Sequence, residues 1–249
     1  MKTAILISGI IKGNWERNKK LIQSAFPDAD IFTSTWKNAE RSDEVDYVFA
    51  QPSVDYHPTL DTQVFPKFKS ISLKKSMENN PNIRDRGHPS WFTSLQILGH
   101  DKLLNEVCPN DEYDMIIRVR YDTYLELNNV DWKGLVERSY EKNITLGFGN
   151  RDTRWRFGTI KKVPEYYPPV DTPIFERGVE VSNDWAYYVM DPLIIHPRKL
   201  WDSKRVWDLH YQEKLHGAEN GWFQILSEPY GHNHECYYGV AHIDRFLGR

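Results

Sequence analysis

The sequence predicts an α/β fold: one domain on a partly parallel sheet. Segments with strand and helix character alternate through the first half, in the order strand, helix, strand, strand, helix, strand. A chain of 249 residues is also long enough to bury roughly 70–75% of its unfolded surface, in one large core or two modest ones. There is no internal repeat, heptad or low-complexity segment to suggest a solenoid or coiled coil.

Taken in order, "TAILISG" (Thr3 to Gly9) reads as a buried strand ending at glycine, a first strand and not a signal peptide. Asn14 is a candidate N-cap, and Trp15, Leu21, Ile22, Ala25 and Phe26 mark one face of the helix it starts. "ADIFTSTW" (Ala29 to Trp36) and "VDYVFA" (Val45 to Ala50) are strand-like. From Gln51 to Pro89 the chain is polar and poorly periodic, a long excursion with short helical pieces. Phe92, Leu95 and Leu98 recur at helical spacing within Pro89 to Val107, and a strand follows from Tyr113 to Tyr121. The second half is less regular. It holds a strand at Ile144 to Asn150, a proline-rich loop "VPEYYPPVDTP", and mixed helix and strand signals in "DWAYYVMDPLIIHP". A helix at Gly217 to Glu228 and a closing strand in "YYGVAHIDRFL" complete it. The division is a nucleotide-type half, 1–127, and a more irregular acceptor-type half, 128–249.

Composition narrows the function classes. No apolar run approaches the roughly 18 residues of a membrane span. Two cysteines, Cys108 and Cys236, are too few for a disulfide framework, so a reduced, cytoplasmic setting is expected. A net charge of −3 and a pI near 6.3 give no overall pull toward nucleic acid, although "KFKSISLKK" is locally basic. The 9 Trp, 14 Tyr and 11 Phe chiefly fill a core, but such rings also make platforms for sugars and bases.

The chemistry-bearing stretch is "DMIIRVRYDTYLEL" (Asp114 to Leu127). Arg118, Arg120 and Asp122 are spaced by two, so an extended chain presents them on one face where the strand runs out. A carboxylate there can hold a divalent cation, which in turn neutralises a diphosphate, and arginines bind phosphate or sugar hydroxyls or orient the carboxylate by bidentate pairing. The same pattern also fits the wet face of a half-exposed strand. "GIIKGN" lacks both the dinucleotide and the Walker spacing, yet it is a glycine-containing turn after strand one, with Lys12 and Arg17 nearby. Asp184 in "VSNDWAYY" is either a helix cap or a functional carboxylate. Glu219 in "HGAENGW" is either a helix-start acid or a general base. "GHNHECYYGVAHIDRF" does not match a structural zinc pattern, but one of its histidines, His234, is a candidate to complete a cation site with Asp122.

Together these segments resemble a group of small glycosyltransferases that bacteria and phages use in lipopolysaccharide, capsule and related glycan synthesis. The likeness rests on "ILISGIIKGNWERNKKLIQSAFPDADIFTSTW", "YDMIIRVRYDTYLEL", "SNDWAYYVM" and "GAENGWFQIL". It covers most of the chain loosely, with a gap from Gln51 to Pro89. In that group an Arg-x-Arg-x-Asp element replaces Asp-x-Asp; Lys12 stands here where arginine is common. The resemblance implies a GT-A fold, an α/β/α sandwich around a mainly parallel sheet, and a nucleotide-sugar donor, most often a uridine diphosphate sugar. It implies that Ser8, Gly9, Lys12 and Arg17 lie by the nucleotide. Asp122 would sit at the diphosphate or its Mn²⁺ or Mg²⁺, supported by Arg118 and Arg120, with Asp184 and Glu219 facing donor sugar and acceptor. The implied acceptor is a glycan. Hydroxymethylated bases of phage DNA are the alternative acceptor, and a non-catalytic nucleotide- or sugar-binding protein of the same fold is the alternative class.

Overall fold

The computed structural model describes residues 1–37, 39, 41–50, 90–108, 112–149, 174–176, 179–182, 189, 191–211, 218–231 and 233–244. The predicted excursion from Gln51 to Pro89, with its basic stretch, and the loop "VPEYYPPVDTP" lie outside them. The strands are β1 (Thr3–Ser8), β2 (Asp30–Trp36), β3 (Tyr47–Phe49), β4 (Met115–Val119), β5 (Thr123–Leu125) and β6 (Thr145–Gly149). They continue with β7 (Ile174–Glu176), β8 (Val179–Ser182), β9 (Leu193–Pro197), β10 (His234–Tyr238) and β11 (Ala241–Ile243). The helices are α1 (Trp15–Ala25), α2 (Ser90–Val107), α3 (Trp132–Lys142), α4 (Ser203–Tyr211) and α5 (Ala218–Leu226). None of the described helices is long and apolar enough to cross a membrane.

One sheet runs through both halves of the chain, in the order β3-β2-β1-β4-β9-β6-β10-β7-β8; β5 and β11 form a separate antiparallel ribbon. Only β9 and β8 run against the rest, so the sheet is mixed and mainly parallel, as an α/β domain with crossover helices requires. β9 is the seam. It pairs antiparallel with β4 from the first half and with β6 from the second.

Alternation along the central strands sends side chains to two apolar layers. Ile5, Ile7, Ile117 and Val119 face α1 and α3 through Trp15, Ile22, Trp132 and Val136. Leu6, Ile116 and Ile194 face α2, α4 and α5 through Leu98, Val206, Trp222 and Phe223. Both faces are therefore covered by helices, and the central strands read as nearly continuous apolar runs.

Three sequence expectations change. The strand drawn to Tyr121 stops at Val119; Arg120 to Asp122 form a turn before the β5–β11 ribbon. The closing strand is two strands, β10 in the main sheet and β11 in the ribbon. Helix α3 went unread, although Asp131 caps it by accepting from the Gly134 N–H (2.9 Å) and Trp132, Val136 and Ser139 form its buried stripe.

Inside the α2/α5 layer, His100 and His196 are fully buried with ring centroids 6.0 Å apart, beside Trp201 and Trp222. His196 Nδ1–H donates to the Pro197 carbonyl (2.9 Å), whereas neither ring nitrogen of His100 has a hydrogen-bond partner among the described residues. Burial, with the positive charges of Arg118 and Arg198 nearby, holds His100 well below the ordinary imidazole value; burial pulls His196 down to about 4. Both rings are neutral in the fold and take protons on unfolding below about pH 6.5, so stability falls as pH drops from about 6.5 toward 4. The variant His100→Phe removes two unpaired buried nitrogens at similar volume. It is expected to match or exceed wild-type stability at pH 7 and to lose less between pH 7 and pH 4 in urea titrations. Parallel pH dependences for the two proteins would show that His100 does not titrate this way.

Candidate functional site

The strand order reverses between β1 and β4, because the chain leaves β1 toward β2 and β3 and returns on the other side to β4. In an open α/β sheet the crevice beyond the carboxyl ends of such a strand pair is where ligands bind. Two segments of this chain meet there: the loop from Gly9 to Asn14 and the turn from Arg120 to Asp122.

The loop begins at Gly9 (φ 123°), whose N–H donates to Ser34 O (3.3 Å) and whose carbonyl accepts from Thr35 Oγ1 (2.7 Å). It ends at Gly13 (φ 67°), which crosses directly above Asp122. A Cβ at residue 13 would lie 2.8 Å from Asp244 Oδ2 and 3.4 Å from Asp122 Cβ, so both the backbone angle and the close approach demand glycine. Among the described residues, the N–H groups of Ile10, Ile11 and Gly13 make no hydrogen bond. Unpaired N–H groups ahead of a helix N-terminus favour an anion. Asn14 then caps α1 by accepting from the Arg17 N–H (3.2 Å). Lys12 is exposed in the same loop.

The turn is built on charge. Arg120 donates from Nε to Asp122 Oδ1 (2.9 Å) and from Nη2 to Asp122 Oδ2 (3.0 Å), while its Nη1 donates to Asp191 Oδ2 (3.0 Å). Both carboxylates are nearly buried, each side chain being 6% exposed. Burial works against the Arg120 charge, but Asp191 and Asp122 outweigh it, and its pKa rises above the ordinary arginine value. Arg118, fully buried one register step below, donates to the Asp191 carbonyl and to Gln96 Oε1 (3.1 Å) and lies over the Trp222 ring (4.9 Å). Ser8 is level with Arg120 across the β1–β4 pair; its buried hydroxyl has no hydrogen-bond partner among the described residues.

The edge therefore brings together Ser8, Gly9, Lys12, Arg17, Arg120 and Asp122 as the sequence suggested, with Arg118 packed beneath. What joins Arg120 to Asp122 is the turn, because the strand has already ended. Helix α5 runs toward the amino edge: Leu226 O, at its end, accepts from Oγ1 of Thr145, the first residue of β6 (3.0 Å). Trp222 lies beside Arg118, so the first turn of α5, which contains Glu219, stands one helical turn nearer the carboxyl edge. Of Glu219 the structure describes only this backbone position, and Asp184 is outside the described residues.

His234 is a correction. It opens β10 at the amino edge, level with Thr145, and its Nδ1 bonds Ser227 Oγ (2.7 Å). Asp122 lies beyond the carboxyl edge and three strands away, about 14 Å sideways at ordinary strand spacing, so the two cannot share an ion. A parallel strand delivers only its carboxyl end to this crevice, and His234 stands at the opposite end of β10.

Sequence reasoning missed Gln96, Asp191 and Asp244. Asp191 carried one signal, the Asp-Pro pair that opens β9; Gln96 and Asp244 carried none beyond position. Asp244 Oδ2 accepts from Asn14 N–H (2.8 Å) and Asn18 Nδ2 (3.2 Å), and its Oδ1 from the Arg17 guanidinium. For a divalent cation the described donors fit poorly. Asp122 gives both oxygens to Arg120, Asp191 and Asp244 are likewise paired with arginines, and no group of three or more His, Cys, Asp or Glu among the described residues is placed to hold a metal ion.

Removing Arg120 strands two nearly buried carboxylates. Arg120→Gln is expected to cost about 3–5 kcal/mol in urea unfolding, far above an exposed ion pair such as Arg41–Glu44. A loss below about 1 kcal/mol would show that the bridge is not a buried one. No protein-family model and no curated protein matches this chain.

Proposed function

We propose that this chain is a glycosyltransferase of GT-A type. It would move a sugar from a nucleoside diphosphate donor, a uridine diphosphate sugar first among them, to a hydroxyl of a glycan. The reading is carried by one observation: the glycine-bracketed loop, with unpaired N–H groups at Ile10, Ile11 and Gly13, crosses directly over the Arg120–Asp122 turn at the switch point of the sheet. A mixed, mainly parallel sheet covered by helices on both faces supports the GT-A assignment.

In this reading the loop N–H groups, the N-terminus of α1 and Lys12 receive the diphosphate. Arg120 adds a guanidinium whose direction is fixed before the ligand arrives. Displacement at the anomeric carbon builds negative charge on the departing diphosphate, and prealigned donors of this kind lower its energy without reorganising. A carboxylate then takes the proton of the attacking hydroxyl if the configuration inverts; Glu219, in the helical turn nearest this edge, is the candidate, with Asp184. A Mn²⁺ or Mg²⁺ ion belongs to the resemblance. Since the described carboxylates are already paired, no step here is routed through it.

The test is a thermal-shift panel of nucleosides, nucleoside diphosphates and nucleotide sugars, with and without Mn²⁺, followed by nucleotide release in the presence of oligosaccharide acceptors. At one hundred times its Kd, UDP is expected to stabilise the protein by about 2.7 kcal/mol, a rise of roughly 5–10 °C. Asp122→Asn is expected to lose that response. Silence toward every nucleoside diphosphate would end the donor assignment, and binding without turnover would leave a nucleotide-binding protein.

A further inference from the structure

We infer that Asp244 is the positioning residue of this site, holding the Gly9–Asn14 loop and the Asp122 turn in one geometry; the inference rests on the donor reading above. Asp244 follows β11, more than one hundred residues from either segment it joins. Its own N–H donates to the Asp122 carbonyl (2.7 Å), which ties the ribbon to the turn. Its carboxylate turns the other way and accepts from three donors at the start of α1: the Asn14 N–H, the Asn18 amide and the Arg17 guanidinium. Asn18, itself fully buried, also donates to Tyr121 O (3.0 Å), inside the same turn.

The carboxylate occupies the space that any side chain at residue 13 would need, and it is only 10% exposed. Loop, helix start, turn and ribbon are thus fixed by one group that need not touch the ligand. If that group is lost, the loop N–H groups and Asp122 remain in the chain but no longer hold a common orientation. Since binding affinity depends on donors aligned in advance, the defect falls on ligand binding more than on the core.

Two measurements on Asp244→Ala, the isosteric Asp244→Asn, and Gly13→Ala test this. Gly13→Ala drives a methyl group into the carboxylate while keeping its charge. Hydrogen exchange of peptides covering Gly9–Asn18 is expected to speed at least tenfold in Asp244→Ala and Gly13→Ala, with peptides of β4 unchanged, and the Kd for UDP to rise at least tenfold. Asp244→Asn, which keeps one acceptor, is expected to fall between them and wild type. Faster loop exchange with an unaltered Kd would make Asp244 merely structural and overturn the inference, as would unaltered exchange in the loop. Should wild-type protein fail to bind UDP, the donor reading falls by itself, and the Asp244 lock is then upheld or refuted by the exchange data alone.

Discussion

The edge described above depends on the bridge that Arg120 makes between Asp122 and Asp191. Neither carboxylate has enough access to water to be left alone, and the guanidinium has the planar fork that serves one of them bidentately and the other singly. The bridge is also where the two halves of the chain are tied. Asp191 and Pro192 lead into β9, the strand that pairs with β4 on one side and β6 on the other. Pro192 O accepts from the Arg120 N–H (3.3 Å) and from Thr123 Oγ1 (2.7 Å), so main chain and side chains fix the same two segments. A turn that lies past the end of its strand would otherwise be free to move. Here it is determined several times over.

Charge at this edge is balanced before any ligand arrives. Arg17, Arg118 and Arg120 face Asp122, Asp191 and Asp244 through the contacts described. In the donor reading proposed above, the attraction for an anion comes from what the balance leaves over. That remainder is the loop N–H groups and the positive ends of α1 and α5, which both start at the carboxyl edge. A nucleotide-sugar donor, as proposed, would bring phosphate oxygens to the backbone and a polar body to the paired side chains.

Much of the frame was legible because it depends on short-range periodicity. Apolar runs marked β1, β2, β4 and β6, and the asparagine before Trp15 marked the start of α1. The spacing of Arg118, Arg120 and Asp122 groups the three as the structure does, though only in part for the reason given. Alternation puts Arg118 and Arg120 on one face, but Asp122 reaches Arg120 by a turn that alternation does not describe. Asp191 and Asp244 went unread because each matters through partners about seventy or more residues away; the Asp-Pro pair in "MDPL" marks a turn but not its partners, and nothing local in "HIDRF" announces Asp244. His234 failed for the complementary reason. Its neighbours in sequence suggested a cluster, and only the direction of β10 shows which edge it occupies.

Arg118 shows how a buried charge fixes what periodicity leaves free. In the β4–β9 pair, Val119 stands opposite Leu193 and Arg118 opposite Ile194, which puts Asp191 within reach of both arginines. The apolar strands themselves offer little to tell one register from another, since Ile116, Ile117, Ile194 and Ile195 are identical side chains, all fully buried. A slip of one residue, however, would turn Arg118 toward the layer of Ile5, Ile7 and Trp132. There it would forfeit the Asp191 carbonyl, Gln96 and the Trp222 ring, at a cost of several kcal/mol for an uncompensated buried cation. The same slip would carry Asp191 away from Arg120 and open the bridge over which the loop is laid. The register of a central strand pair and the geometry of the crevice are therefore one constraint, imposed from below by Arg118 and read at the edge by Arg120.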